Sequence, residues 1–194
     1  MTKTAALLVW VAGIVAWYVI RHPFSRKARK GAVTKNMIDV VEWVVLTVLT
    51  LGLFVVPAIY AATGFPRAAD RIFSPAVAWA GTTLMVASLW LFYRTHVDLG
   101  RNWSVSLKMR ASHQLVTQGV YRYVRHPMYS SFLLMALAQL LLLPNWVGGG
   151  AGLVGTAFLL LMRMRREETM MLERFGDAYR DYGARTARII PWLI

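Results

Sequence analysis

The sequence predicts an all-α polytopic membrane protein, with five transmembrane helices and a C-terminal helical region on the cytoplasmic side. Hydrophobic residues make up 57% of the chain and charged residues only 16%, at a mean hydropathy of +0.47. Such a balance lies outside the range of ordinary soluble domains. Apolar runs occupy residues 5–20, 43–62, 76–93, 128–143 and 146–162. A spanning helix needs roughly 17–25 apolar residues, and the shorter runs gain reach from aromatic and basic flanks. Basic residues gather after the first, third and fifth runs. Of the 22 Lys and Arg, only Lys3, Arg67 and Arg71 fall on the other side. The positive-inside bias then places the N-terminus outside and the C-terminus in the cytoplasm, and four or six spans would break the alternation.

The first run, 5–20, has the length of a signal-peptide core. Basic residues crowd its far side and no A-x-A-like site follows, so it is expected to be a retained helix. Residues 1–93 form an N-terminal anchor of three spans, with Thr, Ala and Gly available for helix packing. Within it, Pro66 and Pro75 mark residues 64–75 as a turn and a helix start. Residues 94–194 form the second unit, opening with a polar segment, 94–127, that is long for a simple connection. Pro127 suits the first turn of the fourth helix, where its missing N–H leaves nothing unsatisfied. Only Pro144 and Asn145 separate the fourth and fifth runs, which must therefore be antiparallel neighbours. The tail, 164–194, reads as a partly amphipathic cytoplasmic helix ending in IIPWLI, a sequence suited to the membrane interface.

Several function classes are excluded or weakened. The formal net charge of +13 lies in juxtamembrane segments, which fits anionic headgroups and not a nucleic-acid footprint. With no cysteine there are no disulfides, thiolate metal sites or Cys nucleophiles. The four histidines, His22, His96, His113 and His126, show no metal-binding spacing, so no metal is expected. Gly150, Gly152 and Gly155 imitate a dinucleotide fingerprint, but they sit inside an apolar span with no strand before them. Close helix approach explains them better. Arg21-His22-Pro23 repeats three letters of a later motif and reads as a span terminus.

The chemistry is concentrated in residues 113–129, HQLVTQGVYRYVRHPMY, and in RMRREE at 163–168. Polar groups beside hydrocarbon are costly, so their presence at two neighbouring helix ends points to function. The order H-x-L-V-T-x-G-V-Y, R-H-P-x-Y, apolar hairpin, R-x-x-x-E-E resembles the isoprenylcysteine carboxyl methyltransferase family, and beyond it other integral-membrane lipid methyltransferases. The resemblance runs from Leu99 to the C-terminus and implies an enzyme using S-adenosyl-L-methionine without a Rossmann domain. It places the cofactor against His113, Gln114, Leu115 and Val116, then Tyr121, then the turn of His126, Pro127, Met128 and Tyr129, with Glu167 closing the site. Arg163 would face the substrate, and Lys108 and Ser106 align more loosely beside the cofactor. The implied partners are a lipophilic, prenylated substrate entering from the bilayer and the membrane lipids themselves.

The residues support that chemistry on their own terms. A carboxylate with a pKa of about 3.5 is ionised at neutral pH and needs no general base. It needs a guanidinium fork to hold it, which Arg163 supplies. Arg163 and Glu167 lie one helical turn apart, on one face. Plainer readings stand beside these. Arg163–Glu167 is also an ordinary i,i+4 surface pair, and Arg165 and Arg166 are positive-inside anchors. His126 before a proline is a helix-entry hydrogen bonder, and Tyr123, Trp103 and Trp192 are interfacial aromatics. A phospholipid N-methyltransferase remains the enzyme alternative, and it would need a base or a carboxylate cluster such as one containing Glu168. A small transporter or scaffold is the non-enzyme alternative, although no repeat or midplane charge is visible.

Overall fold

Each apolar run becomes a helix because a backbone in hydrocarbon must satisfy its own hydrogen bonds. The computed structural model describes residues 1–28, 33–36, 39–100, 108–110 and 114–191, with backbone alone for 27–28, 33–36 and 108–110. The helices are α1 (Lys3–Ala28), α2 (Val40–Thr50), α3 (Val56–Thr63), α4 (Pro75–Leu99), α5 (Pro127–Leu142), α6 (Trp146–Phe175) and α7 (Asp177–Arg185). A π-helical segment, Leu51–Val55, joins α2 to α3 in one continuous rod. Two short strands, β1 (Val33–Asn36) and β2 (Lys108–Arg110), pair antiparallel within an otherwise all-helical fold.

Four helical stretches are long and apolar enough to cross a membrane: Lys3–Arg26, Val40–Thr63, Pro75–Leu99 and Trp146–Phe175. The fourth apolar run forms the shorter α5, whose 16 residues rise about 24 Å against a hydrocarbon core of about 30 Å. Pro75 and Pro127 both sit in first turns, as their sequence positions predict. The fifth run does not end where its hydropathy falls. It continues as α6 for 30 residues, carrying RMRREE beyond the apolar section on the same rod. Arg, Met and Glu are good helix formers, so loss of apolarity gives the helix no reason to stop.

In the bundle α5 packs between α4 and α6, α1 lies on α4, and the α2–α3 rod lies on α6. The core is centred on Phe92, Phe132, Met85, Met135, Leu142 and Leu159, all buried. Large apolar side chains such as Trp79, Val154 and Leu161 point outward, as expected of a lipid-facing surface. Gly148, Gly152 and Gly155 share the buried face of α6, at the i, i+4, i+7 spacing that lines one helix side. A Cβ at Gly52 would stand 2.4 Å from the Ala151 carbonyl oxygen, and one at Gly155 would stand 3.0 Å from that of Val48. Gly152 and Gly155 of the false nucleotide motif thus lie in the seam between α6 and the α2–π segment, while Gly150 faces open space.

Gln139, fully buried on α5, ties this seam together. Its side-chain amide lies 3.1 Å from the Gly52 and Gly148 carbonyls and 3.3 Å from that of Gly149. A π-turn disturbs the ordinary i→i−4 bonding, and Gln139 supplies the Gly52 carbonyl with a donor. At the other end, Asn145 caps α6 by accepting from Val147 and Gly148 N–H at 3.0 and 2.8 Å. Its amide donates to Pro66 and Asp70, each at 2.8 Å, so the two-residue link is pinned to residues 66–70. Substituting Gly52 with Val should force α2 from α6 and lower stability by about 1–3 kcal/mol. A thermal melt in detergent tests this, since an unchanged midpoint would show that the seam can open freely.

Candidate active site

The polar segment before α5 is held in place by α4. Asp98, in the last turn of α4, accepts the Val120 N–H at 2.9 Å and pairs with Arg94 at 3.0 Å. Gly119 takes φ +62°, and a Cβ there would meet the Asp98 carboxylate at 2.1 Å. A side chain at this position is excluded by both strain and space. The turn that follows, Gly119–Arg122, buries Tyr121, whose carbonyl accepts the Tyr182 hydroxyl from α7 at 2.6 Å. Burial pushes both phenols above their ordinary pKa.

The chain then enters α5 through Arg125-His126-Pro127. Residues 187 and 188 return alongside, their carbonyls accepting Arg125 and His126 N–H at 2.8 and 2.9 Å. The Arg125 guanidinium donates to the Thr186 carbonyl at 2.6 Å, to that of Gly183, and to Glu168 Oε1 at 3.1 and 3.3 Å. His126 Nε2 lies 3.4 Å from the same Glu168 oxygen, and His126 Nδ1 lies 4.0 Å from Glu167. Its ring stacks on Tyr129, with centroids 5.2 Å apart and planes 15° from parallel. The Tyr129 hydroxyl donates to Glu167 Oε2.

Arg163 and Glu167 share a helix face, yet each turns to a different partner. Arg163 Nη1 lies 3.4 Å from Glu42 Oε1 on α2, with the Glu42 side chain 1% exposed. The Arg163 Nε–H is buried and has no hydrogen-bond partner among the described residues. Beside this pair Arg166 grips Asp39 through two bonds, at 2.6 and 3.2 Å, and Asp39 also caps α2 through the Glu42 N–H. Those contacts, the Arg166 hydrogen bond foremost, hold the Asp39 carboxyl below its ordinary pKa.

Tyr121, His126, Pro127, Tyr129, Arg163 and Glu167 therefore converge on the polar end of the α5–α6 hairpin. Met128 opens α5 beside them, half-buried. Gln114, Leu115 and Val116 lie on the extended approach to the Gly119–Arg122 turn, Gln114 exposed and the other two half-buried. His113, Ser106, Trp103 and Trp192 lie outside the described residues, and Lys108 is described in its backbone alone. Sequence reading passed over Glu42, Asp98 and the tail-binding role of Arg125. Glu42 had a signal, because an acidic residue at the edge of an apolar run is rarely idle.

Residues 79–173 match the model of the isoprenylcysteine carboxyl methyltransferase (ICMT) family. This stretch, just under half of the chain, is similar to that family. Among relatives, the protein-S-isoprenylcysteine O-methyltransferase of Schizosaccharomyces pombe is 35% identical over 99 residues, 50% of this chain and 42% of that one. Protein-S-isoprenylcysteine O-methyltransferase B of Arabidopsis thaliana is 30% identical over 115 residues, 58% of each chain. The chain thus spans about half the length of the curated relatives it matches. The solved eukaryotic intramembrane Ras methyltransferase ICMT shares its fold at a TM-score of 0.57 and 24% identity. That likeness covers 81% of this chain and 55% of that one. The matched stretch takes in α5, the Arg-His-Pro-x-Tyr turn and nearly all of α6, including every charged residue of RMRREE.

Within this hairpin, the Arg125 side chain fastens the tail together with the backbone bonds of residues 125 and 126 and the Ser130 hydroxyl's bond to the Ile189 carbonyl. Arg125→Met should remove its bonds to Gly183, Thr186 and Glu168 together and cost about 3 kcal/mol. Limited trypsin digestion should then release the C-terminal segment at Arg180 and Arg185 faster than in wild type. Equal cleavage rates would contradict the fastening role.

Proposed function

We propose that the chain is an integral-membrane, S-adenosylmethionine-dependent carboxyl O-methyltransferase. Its acceptor is a lipophilic carboxylate, most simply a prenylated cysteine, entering sideways from the bilayer. The proposed topology has five spans, counting the short α5, with the N-terminus outside and the site facing the cytoplasm. The observation that carries the reading is the meeting of Arg163, Glu167, Tyr129 and His126 at one end of a hairpin of ICMT type. Relatives named protein-S-isoprenylcysteine O-methyltransferases support the choice of acceptor.

The residues present fit the cofactor. Glu167 uses one carboxylate oxygen for Tyr129 and its side chain is 32% exposed, so the other oxygen can accept a ribose hydroxyl or an amino group. The stacked His126–Tyr129 pair, both rings buried, would back the Glu167 carboxylate from the α5 side. When bound, S-adenosylmethionine supplies an electrophilic methyl group. Gln114, Leu115, Val116, Tyr121, Pro127 and Met128 would complete its surroundings, and His113, outside the described residues, belongs to the same proposed set.

Arg163 would hold the acceptor carboxylate. Its Nε–H is a buried donor without an acceptor among the described residues, and such a donor is costly unless a ligand satisfies it. The apolar surroundings exclude water from an already ionised nucleophile, so positioning and desolvation do the work that a base does elsewhere. An amine acceptor is less well served. Among the described residues Glu42 is matched by Arg163 and Glu168 by Arg125, so Glu167, assigned above to the cofactor, has no second unmatched carboxylate beside it to help hold an ammonium.

Radiolabelled methyl transfer should proceed to a prenylcysteine analogue and not to phospholipid amines. The reverse preference would overturn the choice of acceptor. Arg163→Ala should lower kcat/KM about a hundredfold or more while changing cofactor affinity less than about twofold. Glu167→Ala should weaken S-adenosylmethionine binding about tenfold by calorimetry, and equal affinity in both proteins would refute its assignment. Because the chain lacks cysteine, single cysteines can report topology without background. In whole cells, Arg67→Cys should react with an impermeant maleimide and Arg180→Cys should not.

A further inference from the structure

The start of α2 carries two acidic residues with different surroundings. Asp39, its side chain 50% exposed, forms the two-bonded link to Arg166 that ties α2 to α6. Glu42, one turn on, is almost wholly buried against Arg163, whose own side chain is 13% exposed. Desolvating two charges costs several kcal/mol, and the Asp39–Arg166 link already fastens the same two helices. The second pair is therefore poorly explained as a fastener. Its geometry is asymmetric: Glu42 stands at Nη1, while the buried Nε–H edge of the guanidinium has no hydrogen-bond partner among the described residues.

We infer that Glu42 is a positioning residue for the carboxyl methyl transfer proposed above, on which this inference rests. It fixes the Nη1 corner of Arg163, turns the Nε edge toward the acceptor carboxylate, and offsets part of the guanidinium charge. An isolated guanidinium in an apolar site would bind the acceptor tightly and hold back its electron pair. With Glu42 sharing the cation, the acceptor is bound more loosely and attacks more readily. The acceptor oxygen forms its bond to the methyl carbon as the carbon–sulfur bond breaks and that pair goes to sulfur. No proton passes through Glu42, which acts only through Arg163.

The role predicts opposite movements of binding and turnover. In E42Q a non-reactive prenylcysteine analogue should bind about tenfold tighter by calorimetry without cofactor. Its KM should fall and its kcat should drop about tenfold. E42D, which keeps the charge on a shorter reach, should lie between wild type and E42Q in both. A loss of kcat in E42Q with unchanged or weaker analogue binding would make Glu42 a purely structural residue and overturn the role. Should E42Q fail to bind S-adenosylhomocysteine, E42D decides, and wild-type analogue affinity and kcat in E42D overturn the role. A wild-type protein that binds the cofactor but methylates no prenylcysteine carboxylate overturns the proposed function and this role together. An active wild type with an indistinguishable E42Q overturns this role alone.

Discussion

One carboxylate oxygen organises the polar end of the molecule. Glu168 Oε1 receives Arg125 at 3.1 Å, His126 at 3.4 Å and Arg188 at 3.5 Å. These partners come from the entry to α5 and from the returning tail, while Glu168 itself belongs to α6. The Arg125 and Glu168 side chains are 10% and 16% exposed, so their attraction is screened less than that of a surface pair. Leaving either charge alone at a membrane edge would cost several kcal/mol, which makes the three segments mutually dependent. The tail does not simply follow the last helix. It folds back because Arg125 needs the Gly183 and Thr186 carbonyls as acceptors, and because the backbone of residues 187 and 188 accepts N–H bonds from Arg125 and His126.

The apolar part of the bundle sets the register in which those charges meet. Asn145 fixes where α6 begins, and the glycine seam fixes how closely α2 and α6 approach. Gln139 joins α5 to both at the same level. With the register fixed there, Arg163 and Arg166 arrive opposite Glu42 and Asp39, and Glu167 arrives opposite Tyr129. Small side chains in the seam therefore have consequences at the polar end. A displacement of one helix by a methyl group would be carried along a rigid rod to the ion pairs.

The sequence made the apolar helices, the two-residue hairpin link and the first-turn prolines legible, because each leaves a local mark in hydropathy or backbone preference. The dismissal of Gly150, Gly152 and Gly155 as a nucleotide motif was equally local, since no strand preceded them. What stayed hidden depends on partners distant in the chain. The pairing of Glu42 with Arg163 joins residues from two helices, and Asp98 explains Gly119 only once α4 and the following turn are placed together. The extent of α6 was missed for another reason. Hydropathy reports burial, whereas helix continuation follows backbone propensity, and the two part company at Met162. The antiparallel pairing of β1 and β2 lay beyond any periodicity in its short segments.

The Arg-His-Pro-x-Tyr turn combines two tasks that a linear motif does not separate. Pro127 starts the helix and Arg125 secures the tail, so both serve the fold. His126 and Tyr129 stack together and address Glu167 and Glu168, so they shape the surface beside the candidate acceptor site. The division follows from position. Arg125 precedes the helix and faces the returning backbone, whereas Tyr129, on the first turn, faces α6. Loss of activity on changing Arg125 would therefore not by itself place that residue at the reacting atoms, because the tail it holds also covers Tyr121 through Tyr182. The contacts of Arg163 differ in kind. It meets a buried acid and, among the described residues, keeps an unsatisfied donor edge, an arrangement with little structural justification unless an acceptor completes it.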